Sequence, residues 1–264
     1  MTGADATATQ ITFPLPHDSG SSKQSGILVT FRDPLEYSVA WALQQQCHGE
    51  RLAGRRADTV LLLEHLPVYT AGRATRPSHL RLETTSVDNH PIPIEAVNRG
   101  GSITYHGPGQ LIAYPIVLLS QYVPGAKAYV HMLEEVLIRT LLRFGIHGYR
   151  VTKLPGVWVR DRRGEAKIAS IGARVDRGVT LHGFALNVAN DLRPFFNIAP
   201  CGLERCRMTS LAEILEGPVS LRTVNAHVAN EFSAVFRLEW TVRISDGLRT
   251  TATSAQPVAA TEYR

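Results

Sequence analysis

Apolar and polar positions change period several times along the chain, and each change marks an element. "GILVTF" (26–31) reads as a strand, and Asp33-Pro34 then supplies an N-cap and an N1 proline for a helix through "LEYSVAWALQQQ" (35–46). "TVLLLEH" (59–65) is apolar without alternation, the pattern of a buried strand, and "PIPIEAVNR" (91–99) and "LIAYPIVLL" (111–119) read as two more. In "AYVHMLEEVLIRTLLRFG" (128–145), Val130, Leu133, Leu137, Leu141 and Phe144 recur at helical spacing and Gly145 ends the run, which predicts a core-facing helix. "GVWVR" (156–160), "AKIASIGARV" (166–175) and "VTLHGFALNV" (179–188) are separated only by short polar connections and predict antiparallel hairpins. Ser210 with Glu213 forms a capping box for "LAEILE" (211–216), and "RTVNAHVANEFSAVFRL" (222–238) is a last amphipathic helix. Meander-like strands with helices at irregular intervals predict one α+β domain over residues 26–246, with a mixed, largely antiparallel sheet packed with helices. Residues 1–25 and 247–264, rich in Ser, Thr, Ala and Gly, are expected to be disordered tails.

The last hairpin can be read for register. A turn centred on Arg177 and Gly178 pairs Asp176 with Val179, so that Gly172 faces Gly183 and Ser170 faces Ala185. This leaves a row of very small side chains across two strands, which either forms a groove or allows close packing of a neighbouring element. Strict alternation puts Lys167 on the face of Ala169, Ile171, Ala173 and Val175. A lysine on an apolar face either snorkels at the strand's end or is desolvated, which favours its neutral amine and fits it for acid–base work.

The stretch "NRGGSITYHGPGQLIAYPI" (98–116) is the densest glycine cluster. Backbone N–H groups of such a turn can cradle phosphate, or the missing side chains can leave a slot for an apolar chain. The segment lacks G-x-G-x-x-G and GK[ST] and runs into a strand rather than a helix, which disfavours the phosphate reading. His106 within it is either a proton shuttle or a hydrogen-bonding residue that shapes the turn.

Composition narrows the class. The chain has 264 residues, 44% hydrophobic and 19% charged, and no run approaches the roughly 18 uninterrupted apolar residues of a membrane helix. Its N-terminus has neither a signal nor a transit pattern, so a cytoplasmic protein without membrane partner is expected. The net charge of +5 and a pI near 9.3 favour acidic partners. The arginines, however, are scattered and match no nucleic-acid-binding pattern, so no nucleic acid is expected. Three cysteines without C-x-x-C spacing argue against a disulfide framework and a thiolate metal site. Cys201, between Pro200 and Gly202 in an irregular stretch, is the candidate nucleophile, against the alternative of a buried structural thiol. Cys206 lies between Arg205 and Arg207, which would favour a thiolate, and Cys47 on the first helix reads as structural.

Taken together, "EHLPVYTAGR" (64–73), "RGGSITYHGPGQL" (99–111), "GVWV" (156–159), "KIASIGARV" (167–175), "HGFALNV" (182–188) and "PCGLERCRMTSL" (200–211) resemble the lipoyl(octanoyl) transferases, the lipoate-protein ligase B family. The resemblance implies the fold of the catalytic domains of biotin protein ligases and lipoate ligases. It also implies transfer of an octanoyl group from octanoyl-acyl carrier protein to a lysine of lipoyl domains, in 2-oxoacid dehydrogenase complexes and the glycine cleavage H protein. By motif position it gives the thioester-forming role to Cys201, ahead of P-C-G's glycine, and the assisting role to Lys167, which opens K-I-A-x-I-G. Substrate-lining positions implied are Arg99, Gly100, Gly101, Ser102, Ile103, Thr104, Tyr105 and His106, then Ser170, Ile171 and Gly172, then Gly183, Phe184 and Ala185. Transfer from one thioester to another and then to an amide needs no ATP, and no cofactor or metal is expected. Backbone N–H groups near Gly202 or Gly101 are candidate oxyanion donors. A monomer is the expected form.

Overall fold

The computed structural model describes residues 23–81, 86–87, 90–202 and 206–245. Apart from residues 23–25, the expected tails lie outside the described residues, and Gln24 and Ser25 already belong to the first strand. The strands and helices run β1 (Gln24–Phe31), α1 (Tyr37–Leu52), β2 (Asp58–Leu63), β3 (Val68–Ala71), β4 (Ser86–Val87), β5 (His90–Pro91), β6 (Ile94–Ala96), β7 (Ile103–His106) and β8 (Gln110–Ile116). They continue with α2 (Ala126–Leu142), β9 (Tyr149–Val151), β10 (Leu154–Asp161), β11 (Gly164–Asp176), β12 (Val179–Asn187), α3 (Leu211–Leu215), α4 (Leu221–Phe236) and β13 (Leu238–Ser245). Single 3-10 turns at Pro77–His79 and Pro200–Gly202 bear on the site.

Eight strands form one sheet in the order β13-β1-β2-β8-β12-β11-β10-β9. The β13–β1 and β1–β2 pairs are parallel and the other five antiparallel, so the sheet is mixed and largely antiparallel as the pattern predicts. One face is buried under α2 and α4 by Leu133, Leu137, Val228 and Phe232 from the helices and Val60, Leu111, Phe184 and Leu186 from the strands. On the other face α1 packs over β8 and β12 around Ala40, Leu61, Ile112, Tyr114 and Ala185. A second sheet, β6-β3-β7, rests on a third apolar cluster that includes Tyr69, Ile103, Tyr105 and Phe195. Cys47 is buried in the α1 cluster, and burial pushes its thiol up, as suits a structural cysteine.

Three sequence expectations change here. Helix α1 starts at Tyr37 with Glu36 at the N-cap rather than at Asp33-Pro34. Leu35 stays extended because its N–H donates to Glu64 O (2.9 Å) and its C=O accepts from Leu66 N–H (3.0 Å). Strand β13 was not anticipated, although "LEWTVRIS" alternates strictly; its outer residues Val242 and Ile244 are exposed. The third change concerns Lys167. Val157 pairs with Ala169 but Trp158 with Lys167, so a β-bulge interrupts β11 at Ile168. Alternation slips by one: Ala166, Ile168, Ala169, Ile171, Ala173 and Val175 all face the helical core, and Lys167 joins the opposite face, that of Ser170 and Gly172.

Candidate active site

The β11–β12 hairpin has the register read from sequence. Arg177 and Gly178 both take positive φ (49° and 87°), Gly172 pairs with Gly183, and Ser170 pairs with Ala185. The small residues allow close packing rather than an open groove at two of these positions. A Cβ on Gly183 would lie 2.1 Å from Ala113 O on β8, and one on Gly172 would lie 2.8 Å from Arg99 Cδ and 3.0 Å from Gly100 O. The glycine-rich turn before β7 is thus seated on the hairpin, where Gly100 N–H donates to Ala173 O (3.0 Å). Ile171 and Phe184 turn toward the helical core, so only their main chain borders this row. Ile103 and Tyr105 point into the third cluster, and Thr104 is buried.

Arg99 organises the turn. Its guanidinium donates to Thr70 O (2.6 Å), Thr70 Oγ1 (2.9 Å), Gly100 O (3.0 Å) and Ser102 O (2.7 Å), clamping β3 to the residues that lead into β7. Thr70 Oγ1 lies 3.1 Å from His106 Nε2, and His106 Nδ1 is 2.8 Å from Gln110 Oε1. Gln110 Nε2 donates to Asn187 Oδ1 (2.8 Å), Asn187 Nδ2 to Thr209 O (3.0 Å), and Thr209 N–H to Lys167 O (3.0 Å). One hydrogen-bonded chain therefore ties β3, β7, β8, β12 and the segment leaving the Cys201 turn to the strand that carries Lys167.

That chain fixes the state of His106. Gln110 spends its amide on Tyr105 O and Asn187, so its Oε1 accepts from His106 Nδ1–H, and Nε2 accepts the Thr70 hydroxyl proton. Burial, and next the nearby His65, hold the imidazole well below the usual histidine range. His65 donates from Nδ1 to Leu35 O and is lowered to about 4 by burial, while His182, stacked on Trp41, is lowered to about 3 by burial and then by Arg99. Both nitrogens of His106 are occupied and the ring is neutral. These bonds favour the hydrogen-bonding reading of His106 over that of a proton shuttle.

Lys167 has no exposed surface. Its Nζ donates to Pro155 O (2.7 Å) and lies 5.5 Å from the centroid of the Trp158 ring. Its backbone is bonded on both sides to the segment after the cysteine turn, N–H to Arg207 O (2.8 Å) and C=O from Thr209 N–H. Gly156 leaves room for it, since a Cβ there would come within 2.7 Å of Lys167 Cε. The backbone of Cys201 lies in the 3-10 turn Pro200–Gly202, and Gly202 takes φ +72° with its N–H donated to Ala199 O (2.9 Å). That N–H is consumed, which removes it as an oxyanion donor. Cys206 packs on the third cluster with Sγ 3.9 Å from Met208 Sδ, and Arg207 is bound to Asp161 instead of to a thiolate.

Thr70, Gln110, Asn187 and Thr209 lie within the motifs, but nothing in the sequence gives these residues a task. Their side chains are short and polar, a pattern with no period, and only the fold shows that they form one chain. His79 carried no local signal at all.

Residues 36–233, which include this buried polar seam between two sheets, match the lipoyl protein ligase A/B catalytic domain. The octanoyltransferase of Thermobifida fusca is 46% identical over 206 residues, 76% of this chain and 85% of that protein. That of Chloroflexus aurantiacus is 42% identical over 214 residues, 81% and 95%. Among solved structures, a bipartite lipoate protein ligase from Thermoplasma acidophilum superposes with a TM-score of 0.61 at 16% identity, covering 85% of this chain and 88% of that one, which speaks to fold alone. The chain belongs to the lipoyl(octanoyl) transferase family and is an acyltransferase. Among the described residues no helix is long and apolar enough to cross a membrane.

Proposed function

We propose that this protein takes an octanoyl group from octanoyl-acyl carrier protein as a thioester on Cys201 and passes it to a lysine of a lipoyl domain, such as those of 2-oxoacid dehydrogenases and the glycine cleavage H protein. Lys167 takes the Cys201 thiol proton, the thiolate attacks, and the carrier's thiol leaves with that proton; in the second half the acceptor amine attacks the acyl carbon, Lys167 removes its proton, the bond to the Cys201 sulfur breaks, and Lys167 returns that proton to the released thiolate. Exchange between thioesters is close to isoenergetic and amide formation is downhill, so ATP and cofactors are not required.

The bulge at Ile168 carries this reading. It moves a lysine with no exposed surface off the helical core and onto the face of Ser170 and Gly172, with its backbone bonded to the segment that leaves the Cys201 turn. An eight-carbon chain buried at ~0.8 kcal/mol per CH₂ gains roughly 5 kcal/mol. Each methylene more or less changes binding by only about 1–3 kcal/mol, so chain-length selection is expected to be leaky.

Incubation with octanoyl-loaded carrier protein, without ATP, is expected to give an octanoyl mass increment on Cys201 by denaturing mass spectrometry, absent in Cys201→Ser and strongly slowed in Lys167→Ala. An increment that persists on another residue in Cys201→Ser sinks the assignment.

A further inference from the structure

Thioester attack develops negative charge on the acyl oxygen, and the N–H of the residue after the nucleophile, a common donor for it, is here bonded to Ala199 O at 2.9 Å. A side chain from a neighbouring element can supply the donor instead. The segment around Pro77–His79 runs against the cysteine turn: His79 O accepts from Ala199 N–H (2.8 Å), Arg81 N–H donates to Asn197 O (2.9 Å), and Leu80 bridges to Ile198. The His79 ring lies over Gly202, where an added Cβ would be 3.2 Å from Cε1 and 3.3 Å from Nε2 but 3.9 Å from Nδ1. Its Cε1–Nε2 edge therefore faces the backbone next to Cys201.

The tautomer follows from the other side of the ring. Nδ1 accepts from Arg76 N–H (3.2 Å) and lies 2.6 Å from Ser102 Oγ, on the turn that leads into β7. With its lone pair used at Nδ1, the neutral imidazole carries its proton on Nε2, and among the described residues no group accepts from Nε2. This half-buried ring N–H, which has no partner among the described residues, faces the nucleophile's turn, and Arg76 and Ser102 hold it there.

We infer that His79 is a catalytic hydrogen-bond donor whose Nε2–H binds the acyl oxygen during transfer to and from Cys201; this rests on the Cys201 acyl-enzyme reading above. The Cys201 sulfur bonds to the carbonyl carbon while the C=O pair moves to oxygen, where it meets Nε2–H. The pair then returns, the bond to the carrier's sulfur breaks, and that thiol leaves with the proton lodged on Lys167. His79 keeps its own proton throughout and only orients it. Ser102, a substrate-lining candidate, then serves by aiming this ring.

The test compares His79→Phe, which fills the space without an N–H, with His79→Gln, which returns an N–H donor, in the full-length chain. Octanoylation of Cys201 from octanoyl-loaded carrier protein is followed in single turnover, beside alkylation of Cys201 by iodoacetamide, which needs no oxyanion donor. His79→Phe is expected to slow octanoylation about 100-fold, within the range for losing one such donor, with alkylation within about twofold of wild type; His79→Gln recovers about tenfold. Octanoylation of His79→Phe at the wild-type rate overturns the inference, and so does an equal fall in both rates, which marks a merely structural ring. A wild-type protein that is alkylated at Cys201 but never octanoylated there refutes the acyl-enzyme reading and the inference with it.

Discussion

Lowering the pH from 7 to 5 protonates histidines of the unfolded chain, but three in this fold resist. His65 is lowered to about 4, His182 to about 3, and His106 well below the usual range, each chiefly by burial. Because their folded affinity for protons is below the unfolded one, the unfolded state binds more protons in this interval. Stability is therefore full above an unfolded value near 6.5 and falls as pH drops toward the folded values. Between pH 7 and 5 His65 and His182 each withdraw about 2 kcal/mol, about 4 kcal/mol together, and His106 acts in the same direction; this is a large share of the ~5–15 kcal/mol that holds a domain folded. The carboxyls that ion pairs hold low, such as Asp161 beside Arg207, act in the same direction but mainly below this interval. Urea unfolding followed by tryptophan fluorescence measures the effect, and Trp41, stacked on His182 at 5.1 Å, reports from the cluster itself. The midpoint should fall steeply from pH 7 to 5 at a constant slope in urea, and His65→Gln should remove about 2 kcal/mol of the pH dependence whatever its stability at pH 7. A midpoint unchanged between the two pH values, or His65→Gln with the full wild-type dependence, refutes the claim that these rings are buried neutral.

Two further outcomes follow from close packing and from the polar chain. Gly183→Ala puts a Cβ 2.1 Å from Ala113 O and 2.6 Å from Pro115 Cδ, so β12 must leave β8; a loss of about 3 kcal/mol in urea unfolding is expected, and a variant within about 0.5 kcal/mol of wild type contradicts the approach. Thr70→Val strips the hydroxyl between Arg99 and His106 and should lose about 1–3 kcal/mol, with Thr70→Ser restoring most of it; equal losses in Val and Ser would mean that the methyl, not the hydrogen bonds, matters.

Much of this protein is legible in the chain alone. The period of apolar residues marks α2, the buried strands and the final helix, because amphipathic elements must bury one face wherever they sit. The β11–β12 register is legible too, since a turn with both central residues at positive φ fixes every pair that follows it. The glycines of "RGGSITYH" exclude a phosphate loop by what surrounds them, and the motifs by their resemblance indicate the family.

What the chain alone gets wrong is the side on which Lys167 stands. Alternation is a local rule, and a bulge is decided by the partner strand: β10 pairs Trp158 with Lys167 and Val157 with Ala169, leaving Ile168 over. Likewise no spacing shows that the Gly202 N–H is spent on Ala199, that His106 has both nitrogens engaged, or that His79 lies over Gly202 from more than a hundred residues away. Periodicity and turn chemistry are carried by neighbours in sequence and can be read there. Hydrogen-bond partners and the face a buried lysine takes are carried by neighbours in space, and only the tertiary structure brings those together.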